Sequence, residues 1–234
     1  MKKLVVLSGA GISAESGIST FRDSGGLWDT YPVEAVATPE GWLADPNLVT
    51  DFYNTRRKEL LQAHPNAAHR LLAELESDYR VTVVTQNVDD LHERAGSSHV
   101  IHLHGELMKV CSSREPNNPA YIQTLSPEHC EVEHGTRAID GSLLRPWIVW
   151  FGEAVPRLED AVLEVEEADI FVIIGTSLNV YPAAGLIHYV KPSAKIYLID
   201  PKPVSVPSNI AVEVIQKVAS VGMEILKTKL KALC

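Results

Sequence analysis

The run VIHLHGELMKV, residues 100–110, closes an apolar stretch on a histidine, His104, followed by glycine and glutamate. Taken alone, His104 is either a satisfied core residue or a proton acceptor at the mouth of a site, since imidazole titrates near neutral pH. Other residues with chemical capacity recur in the same setting, directly after apolar, β-branched runs. GAGIS (9–13) follows KLVVLS, QNVD (86–89) follows RVTVVT, GTSLN (175–179) follows DIFVII, and Asp200 follows KIYLI. Glycines at Gly9 and Gly11 let a backbone approach a pyrophosphate, though a tight strand-to-helix turn needs them equally. Asp200 can accept from a ribose diol or cap a turn. Asp89 can cap the next helix, but Gln86 and Asn87 need other partners. Leaving such a group buried and unpaired costs roughly 1–3 kcal/mol, and an amide- or ribose-bearing ligand would satisfy them.

These residues need a scaffold that gathers strand ends. The apolar runs at 3–8, 80–85, 99–104, 146–151, 169–175, 195–200 and 211–215 read as strands. Between them, 66–77, 157–168, 182–191 and the C-terminal stretch with Met223, Leu226, Leu230 and Leu233 on one face read as helices, and a short helix ends at Gly96. Alternating strands and helices predict an α/β fold, a Rossmann-like parallel sheet with helices on both faces. Ligands of such sheets bind outside the carboxyl ends of the strands, where the polar residues fall. Residues 24–65 and 111–145 break the rhythm and read as loops and short helices forming a small inserted lobe. The large domain is then expected at about 1–23, 66–110 and 146–234.

Composition bounds the rest. The chain has 234 residues, 45% hydrophobic and 22% charged, with a net charge of −9. That acidity argues against nucleic-acid or anionic-membrane binding. No run approaches the roughly 18 apolar residues of a membrane span. The apolar stretch in MKKLVVLSGAG is too short for a signal peptide, and Cys111, Cys130 and Cys234 are too few for a disulfide framework. A cytoplasmic protein is expected.

Together, GAGISAESGISTFR (9–22), TQNVDDLHERAG (85–96), HLHGEL (102–107), LRPWIVWFGEAVP (144–156) and GTSLNVYPAAG (175–185) resemble the sirtuin family of NAD-dependent protein deacylases. The resemblance implies that NAD and an acylated lysine enter a cleft between a Rossmann-type domain and a small lobe. The acyl oxygen attacks the ribose carbon bearing nicotinamide, and a histidine then acts as general base on the ribose hydroxyls. The products are free lysine and O-acyl-ADP-ribose. His104 matches that histidine, and Asn87 joins it at the reacting centre. Gly9, Ala10, Gly11 and Ser13 would face the pyrophosphate. Phe21 and Arg22 would lie on a loop closing over NAD. Gln86, Asn87 and Asp89 would line the nicotinamide and ribose pocket. Gly175, Thr176 and Ser177 would hold the phosphate and adenosine side, with Asp200 at the adenosine ribose and Ala219 near the adenine. Val149, Phe151 and Gly152 would offer a backbone edge to the substrate peptide.

Tyr53 and Arg56, in DFYNTRRKEL, read as an exposed pair on one helix face. In the sirtuin subgroup that removes acidic acyl groups, a Tyr and an Arg at this spacing bind the distal carboxylate. Succinyl or malonyl removal is therefore expected, with acetyl removal alongside; deacetylation without acidic preference is the alternative. The family's two Cys-x-x-Cys zinc pairs are broken, because Arg114 and Glu133 follow Cys111 and Cys130 at the expected spacing. No structural zinc is expected, and packing by Tyr121, Ile122 and Leu125 would hold the lobe. Ser19, Asp200 and Lys202 also depart from the family pattern. An oxidoreductase, a silent acyl-lysine reader and an ADP-ribosyltransferase are the competing classes.

Overall fold

The computed structural model describes residues 1–19 and 31–232. Phe21 and Arg22 lie outside the described residues, as does Leu233. The strands are β1 (Lys3–Ser8), β2 (Arg80–Thr85), β3 (Val100–His102), β4 (Gly105–Ser112), β5 (Gln123–Thr124), β6 (Leu144–Ile148), β7 (Ile170–Ile174), β8 (Lys195–Ile199) and β9 (Glu213–Ile215). The described α-helices are α1 (Val33–Val36), α2 (Pro39–Ala44), α3 (Pro46–Gln62), α4 (Ala67–Glu74), α5 (Leu91–Ala95), α6 (Leu158–Glu166) and α7 (Ala219–Lys231). The chain divides into two compact units, one from the described residues of 1–20, 64–103 and 157–234, the other from those of 21–63 and 104–156.

The first unit is a six-stranded sheet in the order β3-β2-β1-β7-β8-β9, and each adjacent pair is parallel. β1 and β7 are buried along their whole length. A strand covered on both faces must be apolar on both, which is why KLVV and IFVII show no alternation. Leu4, Val6, Val83 and Val172 pack with Leu72 of α4 and with Met223 and Leu226 of α7 in one core cluster. Successive side chains in a strand alternate faces, so Val5, Leu7, Phe171 and Ile173, also buried, point to the opposite side.

The second unit holds a three-stranded sheet, β5-β4-β6, paired antiparallel. Four sequence expectations change, three of them in this unit. The run 99–104 is not one strand. Only Val100–His102 joins the parallel sheet, and after Leu103 the chain enters β4 of the other sheet. The bend is made at Gly105, whose φ is 81° and whose added Cβ would lie 2.1 Å from the Trp147 carbonyl oxygen. The run 146–151 does not extend the parallel sheet either; it ends β6 at Ile148 and turns. Residues 24–65, expected as loops and short helices, contain the 17-residue α3. Asp45 caps its first turn by accepting from the N–H groups of Asn47 and Leu48, with Pro46 at the first helical position. The segment 182–191 forms a 3-10 helix, Ala183–Tyr189, instead of an α-helix.

Candidate functional site

At the carboxyl end of the parallel sheet, the turns after β1 and β7 are packed backbone to backbone. Gly11 N–H donates to the Gly175 carbonyl (2.8 Å), and Gly9 N–H to that of Ile174 (3.0 Å). A Cβ on Gly11 would lie 2.6 Å from Gly175 Cα, and one on Gly175, at φ 64°, would lie 2.3 Å from Ile12 N. These glycines are therefore required by the contact between the two turns, whatever ligand they meet. The chain continues from Gly9 into two 3-10 turns, Ala10–Ile12 and Ala14–Ser16, and not into an α-helix. Asn66 anchors this loop, its amide donating to Ile12 O (2.7 Å) and Ser16 Oγ (3.0 Å).

The turn after β2 meets the same loop. Asn87 Nδ2 donates to Ser13 Oγ (3.1 Å), and Ser13 Oγ donates to Asp89 Oδ2 (2.9 Å). Asp89 also accepts from Leu91 N–H (3.2 Å), although the N-cap of α5 is Asp90 and Asp89 lies one residue before it. Burial raises its carboxyl pKa, and these hydrogen bonds oppose the shift. Gln86 Nε2 donates to Thr176 Oγ1 at 3.1 Å, joining the turns after β2 and β7. Asn87 is gripped by its backbone as well. Thr85 Oγ1 takes its N–H at 3.0 Å, and His102 Nδ1 meets its carbonyl at 3.1 Å. The other nitrogen of His102 lies 2.8 Å from Glu93 Oε1. Both contacts are oxygens, an arrangement that a doubly protonated imidazole satisfies. The structure thus brings Gly9, Ala10, Gly11, Ser13, Gln86, Asn87, Asp89, Gly175 and Thr176 to one sheet edge, with Ser177 half-buried beside them.

Asp200 follows β8 and is buried, and it accepts from Lys202 N–H at 2.9 Å, a turn-forming contact. Ala219 opens α7. The next residue, Ser220, donates its N–H (2.9 Å) and hydroxyl (2.6 Å) to the Glu15 carboxylate, which follows the glycine turn in sequence. Glu15 is a helix-terminal anion contact that the sequence reading missed.

In the second unit, His104 precedes β4, is partly exposed, and accepts through its carbonyl from Val149 N–H (2.9 Å). The expectation that Tyr53 is exposed fails. Tyr53 is 1% exposed, packed edge-on against Phe52, and its hydroxyl accepts from Trp150 Nε1 at 3.0 Å. It lies on the inner stripe of α3 with Val49, Phe52, Asn54, Arg57 and Leu60. Arg56 is partly buried, 5.8 Å from the Phe52 ring centroid, and its charge opposes the upward pKa shift that burial imposes on Tyr53. Val149, Phe151 and Gly152 follow β6. Phe151 is 48% exposed and Gly152 has φ 92°. The backbone N–H groups here are already committed, Val149 to His104, Trp150 to Glu153 and Phe151 to Ala37. Backbone N–H groups of Val149, Trp150 and Phe151 are thus not free to pair with an added strand.

Arg57 escaped the sequence reading. It is 1% exposed, donating from Nε to Leu107 O (2.8 Å) and from Nη1 to Asn54 Oδ1 (2.9 Å). Asn54 in turn pairs with both backbone groups of Val132 at 2.9 Å. The spacing Val49, Tyr53, Arg57, Leu60 was the available signal. The donors at the broken zinc positions do not fit the metal. Cys111 is buried, its thiol pKa raised to about 12 by burial, and it faces the Pro146 carbonyl. Arg114 stands where the resemblance would expect a ligand, and no group of three or more potential ligands lies among the described residues. The lobe packs through Val110, Val132, Ala138 and Leu144 with Leu125. Of the residues expected to do this, Tyr121 and Ile122 lie outside that cluster.

The Sir2 family model matches residues 9–182. The chain belongs to the Sir2 family. It is similar to the NAD-dependent protein deacylase of Bacteroides thetaiotaomicron, 68% identical over 227 residues that cover 97% of each chain. It is also similar to that of Helicobacter pylori, 52% identical over 98% of each. A mutant Sir2 homologue in complex with ADP ribose superimposes with a TM-score of 0.87 at 43% identity, covering 99% of this chain and 93% of that one. A Sir2 homologue in complex with NAD gives 0.86 at 42% identity, covering 100% and 91%. The six-stranded parallel sheet with flanking helices is thus the Rossmann-like fold of this family.

Proposed function

We propose that this chain is an NAD-dependent protein-lysine deacylase. The observation that carries the reading is the 68% identity, over nearly the full length of both chains, to a protein of that name. The polar edge of the parallel sheet fits the cosubstrate. Its amide and hydroxyl groups suit a carboxamide and a ribose, and its two glycine turns pack close together at the same edge. NAD supplies an electrophilic ribose carbon once nicotinamide departs. Asn87 and Asp89 would hold the nicotinamide ribose and Gln86 the sugar face. Gly9, Ala10, Gly11, Ser13, Gly175, Thr176 and Ser177 would hold the phosphates and adenosine, with Asp200 and Ala219 at its far end. Phe21 and Arg22 would also act on the cosubstrate.

His104 is proposed as the general base for the ribose hydroxyls, for which a partly exposed imidazole is suited. Val149, Phe151 and Gly152 would receive the peptide through backbone carbonyls. Free lysine, nicotinamide and O-acyl-ADP-ribose would be the products. A cytoplasmic location is proposed from the sequence, and no described helix is long and apolar enough to cross a membrane.

The acyl preference is proposed to be acidic, succinyl or malonyl, with acetyl also accepted. Trp150 Nε1–H occupies one lone pair of the Tyr53 hydroxyl, which leaves its hydrogen to donate to a carboxylate beside the Arg56 guanidinium. The test compares one peptide carrying succinyl-lysine or acetyl-lysine. Arg56→Met should lower succinyl turnover at least roughly tenfold more than acetyl turnover, the scale of one lost charge-assisted hydrogen bond. Equal losses would leave a deacetylase without acidic preference.

A further inference from the structure

Behind the turn that carries Asn87 lies a buried pair of histidines that the proposed chemistry does not use. His69 of α4 and His92 of α5 are both 0% exposed, with ring centroids 4.9 Å apart in edge-to-face contact. Each has one ring nitrogen bonded and one without a protein partner, Nε2 of His69 and Nδ1 of His92.

The bonded nitrogens fix where the protons are. His69 Nδ1 faces the backbone N–H of Asn66 (3.3 Å), which can only donate, so Nδ1 carries the lone pair and Nε2 the hydrogen. His92 Nε2 lies 3.0 Å from Ser8 Oγ. The single hydroxyl hydrogen of Ser8 is given to Thr85 Oγ1 at 2.8 Å, so Ser8 must accept from His92, whose Nε2 is protonated and whose Nδ1 carries the lone pair. Burial lowers the pKa of His69 to about 4 and that of His92 well below the ordinary value, so both rings are neutral at pH 7. The two unpartnered atoms are therefore complementary, a donor on one ring and an acceptor on its neighbour, and no direct bond joins them.

We propose that one buried water molecule bridges His69 Nε2–H and His92 Nδ1, and that His69, this water, His92, Ser8 and Thr85 form a fixed hydrogen-bond relay positioning Asn87. A buried water needs two to four polar partners, and this pair supplies two of opposite kind. The chain then runs without a gap. The water donates to His92, His92 to Ser8, and Ser8 to Thr85, whose oxygen holds the Asn87 N–H at 3.0 Å. Ser8 and Thr85 are register partners at the ends of β1 and β2, so the relay is built into the sheet pairing. These are positioning residues. The consequence for NAD rests on the deacylase reading, whereas the water and the tautomers do not.

Two measurements on the full chain separate these. Long-range nitrogen–proton correlation at pH 7 on protein labelled at histidine should show His69 and His92 both as Nε2–H tautomers. The His69 Nε2–H should exchange slowly and show a cross-relaxation peak to a bound water. A His92 ring protonated at Nδ1 overturns the relay. A protected His69 Nε2–H with no water contact places that hydrogen over the His92 ring face and overturns the bridge. The second measurement is steady-state kinetics of Thr85→Val, with Thr85→Ser as the conservative rescue. The KM for NAD should rise roughly fivefold, the equivalent of one hydrogen bond, with the KM for acyl peptide unchanged, and Thr85→Ser should restore it. A fall in Tm with no change in the KM for NAD overturns the positioning role. A wild-type chain without NAD-dependent deacylation would sink the deacylase reading and leave the spectroscopic answer standing.

Discussion

The two units differ in the largest polar side chains they bury. In the parallel-sheet unit, hydroxyls, an amide, the Asp89 carboxyl and two neutral imidazoles are buried near Asn87 and joined by side-chain hydrogen bonds, with His69 Nε2 and His92 Nδ1 left to the proposed water. In the second unit, a guanidinium, Arg57, is buried against a carbonyl and an amide oxygen, and its Nη2 has no partner. A hydrogen-bonded network, once its members are all satisfied, holds them in a single arrangement, which suits a surface that must present Asn87 to a cosubstrate. A buried charge is expensive and tolerates no loss of its partners. Arg57 and Asn54 join α3 to Leu107 of β4 and to Val132 in the loop after Cys130. Polar cross-ties and a small apolar cluster hold this lobe.

The sharpest way to break the contrast is Arg57→Ala. It opens a cavity and strands the Leu107 carbonyl, so a loss of about 3–5 kcal/mol is expected by denaturant unfolding. Arg57→Met, which keeps volume, should lose much less. Acidification tests the neutral imidazoles. The folded pKa of His69 is depressed from 6.5 to about 4, chiefly by burial. Between those values the unfolded chain takes up a proton that the native ring refuses. Its contribution is therefore complete above pH 6.5 and is lost as pH falls toward 4, amounting to about 3 kcal/mol. His92 acts in the same direction. Unfolding free energy measured between pH 7 and 4.5 should fall in step, and a flat profile would mean that the pair is not held neutral. Gly11→Ala, whose Cβ would meet Gly175 Cα at 2.6 Å, should cost about 1–3 kcal/mol through overpacking, seen as a lower Tm without any ligand. The smallest effect is expected for Tyr53→Phe. Trp150 Nε1 loses its acceptor at a cost of about 1 kcal/mol, while succinyl turnover falls more than acetyl turnover.

The parallel sheet was readable because strands buried on both faces carry their signal in composition alone. KLVVLS, RVTVVT and FVII needed no partner to be recognised, and Gly96, in the left-handed region at φ 106°, ends α5 where expected. The clustering of small polar residues after these strands was legible for the same reason. The second unit was not, because its inner helix stripe includes Asn54 and Arg57, which look like solvent-facing positions until their partners on Leu107 and Val132 are known. Tyr53 was placed outside by the same error. The strand at 146–148 could not be assigned to a sheet from its apolar content, since pairing with β4 instead of the parallel sheet depends on the bend at Gly105. His92, Ser8 and Thr85 were hidden within runs that read as simple helix and strand.

The most direct test follows one acyl-lysine peptide by mass spectrometry, with and without NAD, while nicotinamide is quantified in the same tube. Loss of the acyl group only with NAD, one nicotinamide released per lysine freed, and O-acyl-ADP-ribose as the acyl carrier are expected. Acyl loss without NAD, or ADP-ribose attached to protein with the acyl-lysine intact, would contradict the deacylase reading.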